Sequence, residues 1–216
     1  MLESKNIKAV LFDFDDTLVQ TKKTKYSAIK AIGKRYYNHE FTDEAIDKHW
    51  GIAFQKFYQE LFKEIETDLG RVLALRDSIS KEFPNELFSD TSQVLTYLKK
   101  KYKVGIVTAS AKNTIKTEIK QTGLNTDGML FIQTAEDTIF HKPDHRVFKP
   151  ALEKLKSEQI DTAEIIYVGD SLKDYHAAKS ANMHFVGIAE VTTTTEIFKK
   201  EGAYSVKSLG ELLDIL

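Results

Sequence analysis

No cysteine occurs among the 216 residues, which excludes disulfides, thiolate nucleophiles and cysteine-ligated zinc. Neither charge is in excess: 31 Lys and Arg face 32 Asp and Glu, so a net charge of −1 gives no global attraction to nucleic acid or an anionic membrane. No apolar run approaches the roughly 20 residues that cross a bilayer. The opening MLESKNIKAVLFDF lacks the basic stretch, long apolar run and small-residue cleavage site of a secretory signal. Internal repeats are missing too, and the TTTTE run at 192–196 reads as a helix start, with Thr193 and Glu196 at capping-box spacing. These absences lead us to expect a cytoplasmic protein with small-molecule partners, acting without nucleic acid or membrane. Whether it is a monomer or a dimer is not written in the sequence.

A hydrophobic content of 42% in a chain of this length can bury a substantial core, as one large domain or a core with an insertion. Short apolar runs rich in Val and Ile at 7–12, 103–108, 129–134, 164–169 and 184–188 read as strands. Helical patterns lie between them: Ser92 to Lys101, Thr114 to Thr122 before Gly123, His145 to Lys156, and Tyr175 to Ala181. This alternation predicts an α/β fold with a doubly wound, Rossmann-like parallel sheet covered on both faces. From Lys22 to Phe88 the alternation stops. Trp50, Phe54, Phe57, Leu61 and Phe62 recur there at helical spacing, which predicts an inserted α-helical domain. The expected division is a core of residues 1–19 and 89–216 with an insertion of 20–88, Ser89 or Asp90 capping the helix after the return.

AVLFDFDDTLVQ, residues 9–20, raises a question of charge. A core strand runs straight into Asp13, Asp15 and Asp16. Two carboxylates about 4 Å apart repel by roughly 4 kcal/mol at an effective dielectric of about 20, a large share of a domain's stability. A cation belongs there. Alternation along an extended chain lets Asp13 and Asp15 face one site while Asp16 points elsewhere. In open parallel sheets ligands bind beyond the carboxyl ends of strands, and two further strands end in polar clusters: Thr108 and Ser110 after the second, Asp170 and Asp174 after the fourth. Lys142 precedes a proline between these clusters. Asp13, Asp15, Asp170 and Asp174 suit a hard, oxygen-seeking ion such as Mg²⁺. Lys142 adds a point charge and Thr108 a donor, as a phosphate site needs. Aspartate is a competent nucleophile in phosphoryl transfer, and a second carboxyl can act as acid and base.

FDFDDTLV, IVTAS, HKPD and VGDSLKD, in this order, resemble the four motifs of the haloacid dehalogenase-like superfamily, and the likeness continues through AAKSANM and the closing AYSVKSLGELLDIL. The resemblance covers the α/β core, whereas the insertion matches only in being helical and in the expected place for a cap. It implies that Asp13 is the nucleophile and becomes an aspartyl-phosphate. Asp15 would be the general acid and base, its backbone carbonyl on Mg²⁺. Thr108 and the Ala109 amide would bind phosphoryl oxygens, Lys142 would neutralise charge, Asp170 would ligate Mg²⁺, and Asp174 would hold metal-bound water or orient the site. Dehalogenases and phosphonate-cleaving members lack an acid at the position of Asp15, so its presence points to phosphate esters. Asp16 and Asn182 stand where glycine is usual, Ala109 replaces a frequent asparagine, and Pro150 is expected to kink the helix after Lys142.

The expected function is a Mg²⁺-dependent phosphatase acting on a small phosphorylated metabolite. A phosphomutase resembling β-phosphoglucomutase uses the same motifs and is the alternative; a non-catalytic phosphate-binding module would have damaged motifs, and these are intact. Several residues read as structural instead: Ser110 as a helix cap, the insertion's aromatic face as packing, Thr21 to Lys25 as the solvated start of the inserted cap. His141 carries no assignment.

Overall fold

The computed structural model describes residues 6–50, 54–189 and 191–216. Six strands form one parallel sheet in the order β3-β2-β1-β4-β5-β6. They are β1 (Ala9–Phe12), β2 (Lys103–Val107), β3 (Phe131–Gln133), β4 (Ile165–Gly169), β5 (His184–Ile188) and β6 (Ser205–Val206). β1 is central and fully buried. Its alternate residues serve both faces: Val10 and Phe12 join one core with Ile106 and Val168, while Ala9 and Leu11 join another with Val107 and Tyr167. Phe12 aligns with Ile106 on one side and Val168 on the other. The strand order reverses beside β1, so the chain segments leaving β1, β2 and β4 emerge side by side at the sheet's switch point.

Helices α5 (Thr91–Leu98), α6 (Lys112–Thr122), α7 (Lys149–Ser157), α8 (Leu172–Ser180) and α9 (Thr195–Lys200) belong to this unit. Gly123, in the left-handed region at φ 70°, ends α6. Asn182 takes the same region at φ 57°, as its short polar side chain allows. Three local expectations are corrected. Pro150 does not kink a helix: His145–Phe148 is a 3₁₀ turn and α7 starts at Lys149, so the proline falls in the first helical turn, where no N–H partner is lost. The cap of α9 is Thr194, whose hydroxyl accepts from the Ile197 N–H, rather than Thr193. Asp90 sits at the cap position of α5 without bonding into it; its carboxylate instead accepts from the Gly210 N–H at 2.6 Å.

Residues 21–85 form one compact unit, and the described residues before 21 form the sheet unit with 86–216. The smaller unit contains α1 (Thr21–Tyr37), α2 (Asp43–Asp47), α3 (Phe54–Phe62) and α4 (Leu69–Ile79) around its own core of Ile29, Ile32, Phe57, Phe62, Val72 and Ile79. The aromatic pattern is packing, though not one helical face: Phe54 is 50% exposed at the start of α3, and Trp50 lies outside that helix with its ring edge on Tyr26 and Phe57. Nor is the start of α1 wholly solvated, because Thr21 is buried and Lys22 pairs with Asp47 at 2.9 Å. Among the described residues no helix is long and apolar enough to cross a membrane.

Candidate active site

The chain leaves β1 at Asp13, whose N–H donates to the Val168 carbonyl at 2.8 Å. That bond fixes the Asp13 backbone to the neighbouring strand, and its carboxylate points into a buried space. Lys142 Nζ lies 2.7 Å from Asp13 Oδ1 and 2.7 Å from Asp174 Oδ1, with its side chain only 8% exposed. One ammonium therefore bridges carboxylates from two different motifs. Tyr167 supports it from below. Its ring centroid is 5.1 Å from Lys142 Nζ, and its hydroxyl donates to the Val107 carbonyl at 2.9 Å.

Asp174 serves two purposes. Oδ1 meets Lys142, while Oδ2 accepts from the Ser171 hydroxyl and, at 3.1 Å, from the Ser171 N–H, forming the capping box that starts α8. The helix consequently begins at Leu172, three residues before the expected Tyr175. Gly169 is what lets Asp174 sit so close to the strand end: a Cβ at that position would stand 2.6 Å from Asp174 Cβ and Cγ. Asp170 follows Gly169 directly and is 5% exposed. Asp13, Asp170 and Asp174 each offer a carboxylate oxygen, and these oxygens lie within 4.8 Å of one another.

Three buried carboxylates and one ammonium leave net negative charge in a buried space. The titration behaviour follows. Burial, only partly offset by Lys142 and reinforced by Asp174 and Asp15, pushes the Asp13 carboxyl up to about 7. Burial and the charges of Asp174 and Asp13 raise Asp170 well above the usual carboxylate range, although the Thr192 side chain bonds to it. Burial pulls Lys142 down, yet Asp13 and Asp174 more than reverse this and hold it firmly protonated. Hard oxygen donors gathered with insufficient positive charge are a fit for Mg²⁺, and Asp13, Asp170 and Asp174 are the side chains able to hold it. The Asp15 side chain is not in that trio.

On the other side, Thr108 leaves β2 buried, its N–H donating to Gln133 O at 3.0 Å and its Oγ1 accepting from the Ser110 N–H at 3.0 Å. Ala109 is exposed at the turn, and His141 is exposed beside Lys142. Ser110 is not the helix cap expected of it. α6 starts at Lys112, whose N–H is taken by both Glu136 carboxylate oxygens at 3.1 and 2.9 Å, and the Ser110 hydroxyl donates instead to Asp15 Oδ2 at 2.6 Å. Asp16, at φ 56°, turns the chain in the left-handed conformation where glycine is usual. Thus Asp13, Lys142, Asp170 and Asp174 are brought together directly, with Asp15 and Thr108 linked through Ser110. Sequence reasoning missed Tyr167, Gly169 and Ser171. Only Ser171 left a signal, since Ser-x-x-Asp before a helix is capping-box spacing.

The family model of the haloacid dehalogenase-like hydrolases matches residues 10–188. A pyrophosphatase PpaX of Anoxybacillus flavithermus is 28% identical over 217 residues, covering 98% of this chain and 97% of that protein. The pyrophosphatase PpaX of Bacillus pumilus is 25% identical over 220 residues, covering 100% and 99%. Solved structures share the fold, among them two with a bound ligand. YfnB from Bacillus subtilis, bound to magnesium, aligns with a TM-score of 0.77 at 21% identity over 98% of this chain and 99% of that one. CbbY from Rhodobacter sphaeroides, in complex with phosphate, aligns with a TM-score of 0.71 at 18% identity over 95% and 96%. The chain belongs to the haloacid dehalogenase-like hydrolases.

Proposed function

We propose that the protein is a Mg²⁺-dependent phosphatase of small phosphorylated molecules that works through an aspartyl-phosphate on Asp13. The observation that carries this reading is the Asp13–Lys142–Asp174 bridge: a buried carboxylate at the sheet's switch point with one oxygen, Oδ1, held by a fixed ammonium. Magnesium bound by YfnB and phosphate bound by CbbY, on the same fold, support it.

In this reading Asp13 forms an O–P bond as the P–O bond to the leaving group breaks. Asp15, in its acid form, gives its proton to the departing oxygen. As carboxylate it then takes a proton from water, the water oxygen attacks phosphorus, and Asp13 is released with free phosphate. Lys142, the Thr108 hydroxyl and the Ala109 N–H hold the phosphoryl oxygens as their charge rises. Asp13, Asp170 and Asp174, with the Asp15 backbone carbonyl, would hold Mg²⁺, which supplies charge neutralisation to the transferring group. The helical unit is proposed as the cap that selects the leaving group, and the cytoplasm as the place of work.

The test is phosphate release from sugar phosphates, phosphoglycolate, nucleotides, an aryl phosphate and pyrophosphate, each with Mg²⁺ and with EDTA. Pyrophosphate joins the panel because curated relatives carry the name pyrophosphatase. We expect release from at least one member with Mg²⁺ and none with EDTA; equal release in EDTA overturns the metal dependence. Isomerised sugar phosphate without phosphate release would favour the phosphomutase.

A pH effect follows from the Asp13 shift. The unfolded carboxyl titrates near 3.8 and the folded one near 7, so between these values the folded state holds a proton that the unfolded chain has lost. Without divalent cation, stability therefore falls as pH rises through that window. Metal binding needs the ionised carboxylates and runs the other way. Thermal melts should show a larger Mg²⁺-induced rise in Tm at pH 8 than at pH 5.5; a rise independent of pH would contradict the assignment of buried, raised carboxylates as ligands.

A further inference from the structure

Resting on the reading above, we propose that Ser110 is a positioning residue for the general acid: its hydroxyl holds Asp15 and stabilises the carboxylate left behind when Asp15 gives up its proton. A serine hydroxyl has one proton to donate, and this one goes to Asp15 Oδ2 at 2.6 Å, across 95 residues of sequence. The side chain does not serve as the cap of α6: the cap position is Ala111, and the Lys112 N–H goes to Glu136.

The Ser110 backbone is itself tied at both ends. Its N–H donates to Thr108 Oγ1 at 3.0 Å, and its carbonyl accepts from the Ala135 N–H at 3.0 Å. The hydroxyl thus issues from a turn fixed to β2 and to the segment after β3, rather than from a loose loop. Oδ2 of Asp15 is occupied by this bond, which leaves Oδ1 as the oxygen that carries the transferable proton. As that proton moves to the leaving oxygen, negative charge grows on Asp15, and a donor on Oδ2 strengthens as it does. The hydrogen bond is therefore worth more in the transition state than before it. Its weight should increase with the basicity of the leaving oxygen, because a more basic leaving group needs more complete proton transfer.

This distinguishes Ser110 from a phosphate ligand or a structural turn. The experiment measures kcat and KM with Mg²⁺ for a series of aryl phosphates of graded leaving-group basicity, from 4-nitrophenyl to 4-methoxyphenyl phosphate, together with inhibition by inorganic phosphate and Tm. Wild type is compared with Ser110→Ala, Ser110→Thr and Asp15→Asn. We expect Ser110→Ala to lower kcat/KM about 10-fold at the basic end and by no more than about 3-fold at the nitrophenyl end, the log kcat/KM line steepening in the direction of Asp15→Asn. Ser110→Thr, which keeps the hydroxyl, should retain the wild-type slope, and phosphate inhibition should be unchanged in both Ser110 variants.

A parallel loss across the series, or a change confined to KM and phosphate inhibition, overturns the positioning role while leaving the phosphatase reading intact. A wild type that releases no phosphate from any of the series counts against both, and a steepened slope with Ser110→Thr equal to Ser110→Ala overturns the assignment to the hydroxyl.

Discussion

Asp13→Asn should abolish turnover and phosphoenzyme formation, with a loss on the order of 10³-fold or more as expected for removing a nucleophile, and should do so without destabilising the protein. The second half of that expectation is what makes it diagnostic. Burial already pushes the Asp13 carboxyl up to about 7, so its charge is held in the site at a cost, opposed by Asp174 and Asp15 and relieved chiefly by Lys142. An isosteric amide removes the charge, keeps an oxygen within reach of Lys142 Nζ, and leaves Asp174 as its ion-pair partner. Above about pH 7 the variant should melt at or above the wild-type Tm in the absence of metal. Steady-state phosphate release, intact-mass detection of acid-trapped phosphoenzyme and a thermal melt together check it. Normal turnover would remove Asp13 from the nucleophile's role; a large fall in Tm would mean that the lost activity reports unfolding rather than chemistry.

Legibility in the sequence tracked how local each determinant is. β1, β2 and β4 were readable because strands buried on both faces show as unbroken Val, Ile and Leu runs, and the acidic and hydroxyl residues follow them directly. β6, at Ser205–Val206, is two residues long, too short for any period to register. The TTTTE run offered consecutive hydroxyls, so spacing could not decide between Thr193 and Thr194 as the cap of α9. Pro150 was misread because the sequence does not mark where the 3₁₀ turn of His145–Phe148 hands over to α7. The largest gap concerns partners far apart in the chain. Ser110 looked like a cap because Asp15 is 95 residues away, and Tyr167 looked like one more apolar strand residue because its acceptor, the Val107 carbonyl, is on another strand 60 residues earlier. Tertiary hydrogen bonds of this kind leave no trace in a local pattern.

Removing Lys142 should have the opposite structural signature to replacing Asp13. Lys142→Met keeps much of the apolar stem but deletes the ammonium that lies 5.1 Å from the Tyr167 ring centroid and 2.7 Å from both Asp13 and Asp174. Taking one partner from a buried ion pair typically costs about 3–5 kcal/mol, because the charge left behind is desolvated and unpaired. For a chain of this size that is a fall in Tm on the order of 10 °C. Here two carboxylates lose their counter-charge together, and Asp170 adds a third nearby. The pH dependence gives the cause away. Without Lys142, which lowers it, the folded-state Asp13 carboxyl rises further above its unfolded value, so the protein keeps a proton that the unfolded chain has lost over a wider window. Stability relative to wild type should then worsen as pH rises from 5.5 to 8 and recover as the carboxyls are protonated. Mg²⁺ should restore more Tm in the variant than in wild type, since it meets an uncompensated carboxylate trio. Turnover should remain depressed by about 10²-fold or more, because the point charge proposed to meet the phosphoryl group is gone even when the fold is rescued. Melts at pH 5.5 and 8, with and without Mg²⁺, beside steady-state rates, separate these terms. A Tm loss of equal size at both pH values and indifferent to Mg²⁺ would show that Lys142 acts through packing, and that the charge balance of the site rests elsewhere.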